Sequence, residues 1–228
     1  SAASDVYKRQ DSVRPVIGLE VSGGADIWHK EAAEVVVEAS DGSNGSQIAE
    51  IVCKTGEKIV GKSSKGAEKF VITESSQNGE STPVTIIVTD YAGNQTVVTD
   101  RVFVDRDAPK ALIQGVEDYT ITSKPVQVSY LAEEENVIQT VRANILKEDI
   151  DGKKEETEIT EWKTKSRNES GDTKKESVQT LAEDGLYKLR MNVTDMAGNV
   201  SHAERQLIID KENPVIAHVD ELDGKYLK

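Results

Sequence analysis

The sequence predicts an all-β chain built as two tandem β-sandwiches of about 100 residues each. Three observations predict it. One phrase occurs twice, Val88-Thr89-Asp90-Tyr91-Ala92-Gly93-Asn94 and Val193-Thr194-Asp195-Met196-Ala197-Gly198-Asn199. Each copy is followed by an apolar run, an acidic stop and a proline: Val102-Phe103-Val104-Asp105-Arg106-Asp107-Ala108-Pro109, then Leu207-Ile208-Ile209-Asp210-Lys211-Glu212-Asn213-Pro214. Asp90 and Asp195, Asp105 and Asp210, and Pro109 and Pro214 are each 105 residues apart, so one module is repeated in the same orientation. Finally, no stretch sustains a helical period with caps. Apolar and polar residues instead alternate in short runs bounded by Gly, Asn, Asp and Pro, the pattern of half-buried strands.

Residues 1–12 are expected to be a non-native or disordered lead-in. The string Asp5-Val6-Tyr7-Lys8-Arg9-Gln10 looks like translated sequencing-adapter sequence and is set aside from fold reasoning. Domain one, 13–107, opens at Arg14-Pro15-Val16-Ile17, which parallels Ala108-Pro109-Lys110-Ala111 and Asn213-Pro214-Val215-Ile216. Strands are expected over 16–21, 34–39, 48–54, 58–61, 69–73, 84–89 and 96–104, separated by turns such as Gly23-Gly24 and Asp41-Gly42-Ser43-Asn44-Gly45. Seven short strands in about 95 residues is the count of an immunoglobulin-like sandwich. Domain two, 108–212, repeats the plan over 110–116, 126–131, 137–146, 157–162, 177–181, 186–194 and 203–209. It is longer because 149–175 carries a solvated, charged hairpin with turns at Asp151-Gly152 and Gly171-Asp172. Residues 213–228 begin a third repeat, with Asp223-Gly224-Lys225-Tyr226 standing where Glu117-Asp118-Tyr119 stands in the second. Without the rest of its core this segment is expected to fray.

Composition excludes several functions. Asp and Glu number 41 against 28 Lys and Arg, a formal charge of −13, which repels phosphate backbones and anionic lipid. Nucleic acid is therefore excluded as a partner. Aromatic residues are 4% of the chain, too few for a stacking platform or an extended sugar-binding face. Cys53 is the single cysteine, so no internal disulfide forms; between Val52 and Lys54 and beside Ile51 it reads as a small buried residue. No apolar run reaches the roughly 18 residues of a membrane helix. The three histidines, His29, His202 and His218, share no ligand spacing, and no phosphate loop, nucleophile elbow or zinc-protease motif is present.

The repeated Asp-x-Ala-Gly-Asn after a Val-Thr strand, followed by an apolar strand and Asp-x-x-x-Pro, resembles the tandem bacterial Ig-like domains of Gram-positive surface proteins. Asp184-Gly185-Leu186-Tyr187-Lys188-Leu189 fits the same pattern before the second copy, whereas Asn78-Gly79-Glu80 supplies no tyrosine before the first. The resemblance covers residues 13–228. It implies an exported, wall-associated or secreted multidomain protein in which such domains, in an elongated arrangement, act as stalks and spacers. Neighbouring repeats are the implied partners, and each chain is expected to be monomeric.

Two readings attach to the repeated phrase. In the first, Asp90, Gly93 and Asn94, and likewise Asp195, Gly198 and Asn199, form a hairpin turn in which Gly or Asn takes φ > 0 and the carboxylate accepts from backbone N–H groups. In the second, alternating strand direction places Asp195 and Asn199 at the domain junction, beside Asp105 and Asp107 of the linker and the loop holding Glu134. Hard oxygen ligands converging there would suit calcium, which takes 6–8 of them; cadherin junctions resemble this arrangement. Calcium is the one cofactor considered, and no catalytic residue is expected. The Trp28-His29 pair lies in the first long turn, where Trp28 reads as an end plug of the first sandwich, the alternative being a contact patch. The leading function is a structural spacer. The alternatives are a module that binds a glycan, host or matrix protein, with Trp28, Tyr119 and Trp162 as its contact candidates, and an accessory region of a large extracellular enzyme.

Overall fold

The computed structural model describes residues 11–164 and 172–214. The expected lead-in string 5–10, the turn residue Gly171 and the third-repeat residues 215–228, His218 among them, lie outside the described residues. Among the described residues the regular structure is all strand.

The first module holds β1 (Val16–Val21), β2 (Trp28–His29), β3 (Ala33–Ser40), β4 (Ile48–Thr55), β5 (Lys58–Ser63), β6 (Ala67–Ile72), β7 (Thr82–Asp90) and β8 (Gln95–Val104). They form two sheets, ordered β1-β3-β6 and β2-β8-β7-β4-β5. The second module holds β9 (Lys110–Gln114), β10 (Thr120–Thr122), β11 (Val126–Glu133), β12 (Ile138–Glu148), β13 (Lys154–Lys163), β14 (Lys174–Leu181), β15 (Gly185–Asp195) and β16 (Val200–Ile209). Its sheets run β14-β11-β9 and β10-β16-β15-β12-β13, the same topology in the same order. Both modules are immunoglobulin-like sandwiches.

The two-residue period fixes the inner faces. β7 buries Val84, Ile86 and Val88, and β15 buries Tyr187, Leu189, Met191 and Val193, while the residues between them face outward. The opposite sheet supplies Val35, Val37, Phe70 and Ile72 in the first core and Val128, Tyr130, Ala132 and Leu181 in the second. The same alternation carries one step further to Asp90 and Asp195, which close their strands on the inward face and are 2% and 0% exposed. A buried carboxylate must find donors or a counter-charge, so the functional question begins at that pole.

The structure departs from the sequence expectation in three places. Each module has an eighth strand: β2 runs parallel to β8, and β10 parallel to β16, after the chain crosses from one sheet to the other. Trp28 lies in β2, buried against Phe103 with ring centroids 4.9 Å apart. The charged stretch is not one hairpin. β13 pairs with β12 through the Asp151–Gly152 turn, whereas β14 pairs with β11 in the other sheet. Cys53 is fully buried, and burial pushes its thiol up to about 11.

Candidate functional site at the module poles

The N-terminal pole of each module is built from a turn, a loop and the incoming chain. The β7–β8 and β15–β16 turns are superimposable in their hydrogen bonds. Asp90 N–H donates to the Asn94 carbonyl and Asp195 N–H to the Asn199 carbonyl, both at 3.1 Å; Gly93 and Gly198 N–H close the turns at 3.2 Å. Gly93 and Gly198 take φ of 95° and 88°, a region costly for any residue with a Cβ, so these are the turn positions that require glycine. Each aspartate accepts twice from its own asparagine, at 2.8 Å from the backbone N–H and 2.8 Å from the side-chain amide.

The asparagine amide has a second job. Asn199 Nδ2 donates to the Asp105 carbonyl in the linker at 3.0 Å, and Asn94 Nδ2 donates to the Asp11 carbonyl at 3.1 Å. Asp11 stands four residues before Pro15, as Asp105 stands four before Pro109. The Asp-x-x-x-Pro segment is thus captured by the turn of the module that follows it. Asp11, which the sequence reading grouped with the lead-in, takes the place in module one that Asp105 takes in module two.

A third acid completes each pole. Asp41 follows β3, and Glu134 follows β11. One carboxylate oxygen from each of Asp105, Glu134 and Asp195 lies within 4.8 Å of the other two, and the same holds for Asp11, Asp41 and Asp90. Asp105 and Asp195 are buried and Glu134 half-buried. Asn199, 3% exposed, is part of the same cluster through its amide. Asp107 is exposed; its N–H donates to Asp105 Oδ1 at 3.2 Å. The structure therefore brings together four of the five residues singled out at the junction and leaves the Asp107 side chain outside.

The two poles differ in how the third acid is satisfied. Glu134 Oε1 accepts from its own loop, from Glu135 N–H at 2.7 Å and Asn136 N–H at 3.1 Å. Burial, then the charges of Asp105 and Asp195, push its carboxyl above the usual range; burial and then Asp105 do the same to Asp195, against the pull of Asn199. Asp41 accepts on Oδ2, from Gln47 N–H at 2.9 Å and the Ser46 hydroxyl at 3.5 Å. A Cβ on Gly45 would collide with the Asp41 carbonyl and carboxylate, so glycine is what lets that loop fold back. The junction adds a contact between modules: Gly79 N–H of module one donates to Asn136 Oδ1 of module two at 3.2 Å.

The sequence profile of the bacterial Ig-like domain matches twice, over residues 32–106 and 133–211, more than half of the chain. The chain belongs to the bacterial Ig-like domain family. Comparison with curated proteins returns no match. Among solved structures, the fibronectin(III)-like modules of Clostridium thermocellum CbhA are 10% identical over 89% of this chain and 100% of theirs, with a TM-score of 0.35. A tetra-tandem repeat in the extending region of a large adhesion protein is 14% identical over 86% of this chain, with a TM-score of 0.39; the chain spans half of that protein's length. Carbohydrate-binding modules of a β-sandwich superfamily are 13% identical over 86% of this chain and 96% of theirs, with a TM-score of 0.33.

The remaining sequence candidates disperse over the two Ig-like domains. Trp28 is buried, Tyr119 is 73% exposed, and Trp162 is partly covered by Lys175, whose Nζ sits 4.1 Å from the ring centroid. Among the described residues, no helix is long and apolar enough to cross a membrane.

Proposed function

We propose that the chain is a non-enzymatic spacer, a stalk segment of a bacterial surface or secreted multidomain protein. The observation that carries this reading is the capture of the linker. Asn199 joins the Asp105 carbonyl to the turn of domain two while Asp105 N–H donates to the His29 carbonyl of domain one at 2.9 Å. One linker residue is therefore gripped by both domains. Buried Pro109 fixes φ just beyond it, and the Gly79–Asn136 bond adds a second tie. Such a junction limits the hinge and lets successive domains transmit length and direction. A surface of net charge −13 keeps the segment hydrated and discourages self-association. The junction works as a hydrogen-bonded lock between neighbouring repeats.

Small-angle X-ray scattering of the full chain, run beside a glycan array, tests the reading. An extended pair of domains with no saturable glycan signal is expected. A folded-back pair, or saturable binding to one glycan class, would overturn it in favour of an adhesive module.

A further inference from the structure

The pole of domain one carries a buried carboxylate oxygen without a hydrogen-bond partner, which the junction acids, among the described residues, do not. Asp41 is 6% exposed, and its Oδ1 is buried with no hydrogen-bond partner. One carboxylate oxygen of each of Asp11, Asp41 and Asp90 lies within 4.8 Å of the other two, and Asp90 is 2% exposed. Among the described residues, no lysine or arginine pairs with any of the three acids. A buried anion beside two others, with an idle oxygen, costs several kcal/mol unless a counter-charge is supplied.

We propose that the cluster Asp11, Asp41 and Asp90 is a binding site for a hard divalent cation, calcium foremost. One oxygen from each carboxylate gives three of the 6–8 that calcium takes, and the half-buried Asp11 leaves the site open to water for the others. A smaller cation that holds its hydration shell, such as magnesium, suits a site of direct carboxylate ligands less well. The alternative resolution of the strain is a proton. At neutral pH a cation relieves all three charges, whereas a proton relieves one. The site also has a structural consequence. Asp11 precedes the first strand, Asp41 joins the two sheets and Asp90 ends the strand before the last, so one ion would fasten three separate parts of the pole.

The test is a calorimetric titration of calcium chloride into the full chain at pH 7, carried to about 10 mM because extracellular calcium modules bind near 10⁻⁴–10⁻³ M. Saturable heat for one ion is expected, with the affinity lowered about tenfold or more in Asp41→Asn, since charge count sets affinity at such sites. Asp11→Asn serves beside it: its backbone carbonyl still receives Asn94, so the fold is retained while the same loss is expected. Circular dichroism confirms that both variants are folded. Asp195→Asn, at the junction, should leave the heat unchanged. No saturable heat, heat that survives Asp41→Asn and Asp11→Asn, or heat lost only in Asp195→Asn would each overturn the assignment.

Discussion

Glu134 and Asp195 show how single residues set the electrostatics of the junction. Both are carboxyls whose folded value is raised, chiefly by burial. An acid of this kind binds its proton more tightly in the folded chain. Its contribution is fully present below the unfolded value, 4.5 for Glu134, and is lost as pH rises through the higher folded value. At neutral pH the charged forms therefore cost stability, the reverse of the usual salt-bridged aspartate. Glu134→Gln isolates the effect, because the amide oxygen can still accept from Glu135 and Asn136. Among its charged neighbours, Asp105 and Asp195, both acids, raise the Glu134 carboxyl after burial, while Asp107, Lys110, Glu133 and Glu135 line the surface beside it. In chelator, the variant is expected to exceed the parent at pH 7 by about 0.2–1 kcal/mol, the range of one partly solvated charge interaction. The gap should close as pH falls toward 4.5. Urea midpoints across that range check it, and parallel curves would mean that the cluster is screened. At this scale the sequence was half legible. Asp105, Glu134, Asp195 and Asn199 follow from the repeat and from strand direction. Asp41 was hidden in a loop that reads as an ordinary Asp-Gly turn, and Asp11 in the stretch 1–12 grouped with the lead-in. The spacing of Asp11 from Pro15, copied at Asp105 and Pro109, is the signal that could have found it.

The strands were the more legible layer, because the two-residue period is a direct consequence of which side faces the core. All fourteen expected segments coincide with strands, with ends differing by up to about three residues. β2 and β10 escaped because two and three residues cannot display an alternation, and each is held by a parallel partner far along the chain. The split between β13 and β14 escaped for another reason: charge marks exposure but says nothing of which sheet a strand joins. The period also predicts where the domains are vulnerable. Ile86 is fully buried in β7, the centre of the first core. Ile86→Ala is expected to cost domain one about 2–5 kcal/mol through lost burial and the cavity left behind. Each domain has its own reporter, Trp28 on Phe103 in the first and Trp162 beneath Lys175 in the second. The Trp28 transition should move to lower urea while that of Trp162 stays in place. Equal movement of both would show that the domains unfold as one cooperative unit.

For the whole molecule, what matters is how much the junction lets the domains move. A free five-residue linker would allow wide excursions. Here the chain from Asp105 to Pro109 is gripped at Asp105 by His29 and Asn199 and held again at buried Pro109, while Gly79 meets Asn136 across the interface. Each hydrogen bond contributes only about 0.5–1.5 kcal/mol net, so neither tie alone fixes the angle. Together they tie the domains at two separate places, and a bend that parts the domains at either place must break a bond there. Spin labels at Ser64→Cys and Asp151→Cys, both exposed positions, can measure this. Cys53 stays unlabelled, being fully buried with its thiol held up near 11. A single narrow distance distribution is expected for the parent chain. In Asn136→Ala/Asn199→Ala the distribution should broaden while both domains keep their folds, since Asn136 and Asn199 lie at the pole rather than in either core. Loss of the Asn199 amide also leaves the buried Asp195 carboxylate short of a donor, costing domain two about 1–3 kcal/mol. The single Asn136→Ala variant separates the two effects: it removes the inter-domain bond alone, so any broadening it produces belongs to the hinge. A parent distribution already as broad as that of the double variant would mean that the ties are too weak to set direction, and the chain would then serve as a flexible tether rather than a spacer.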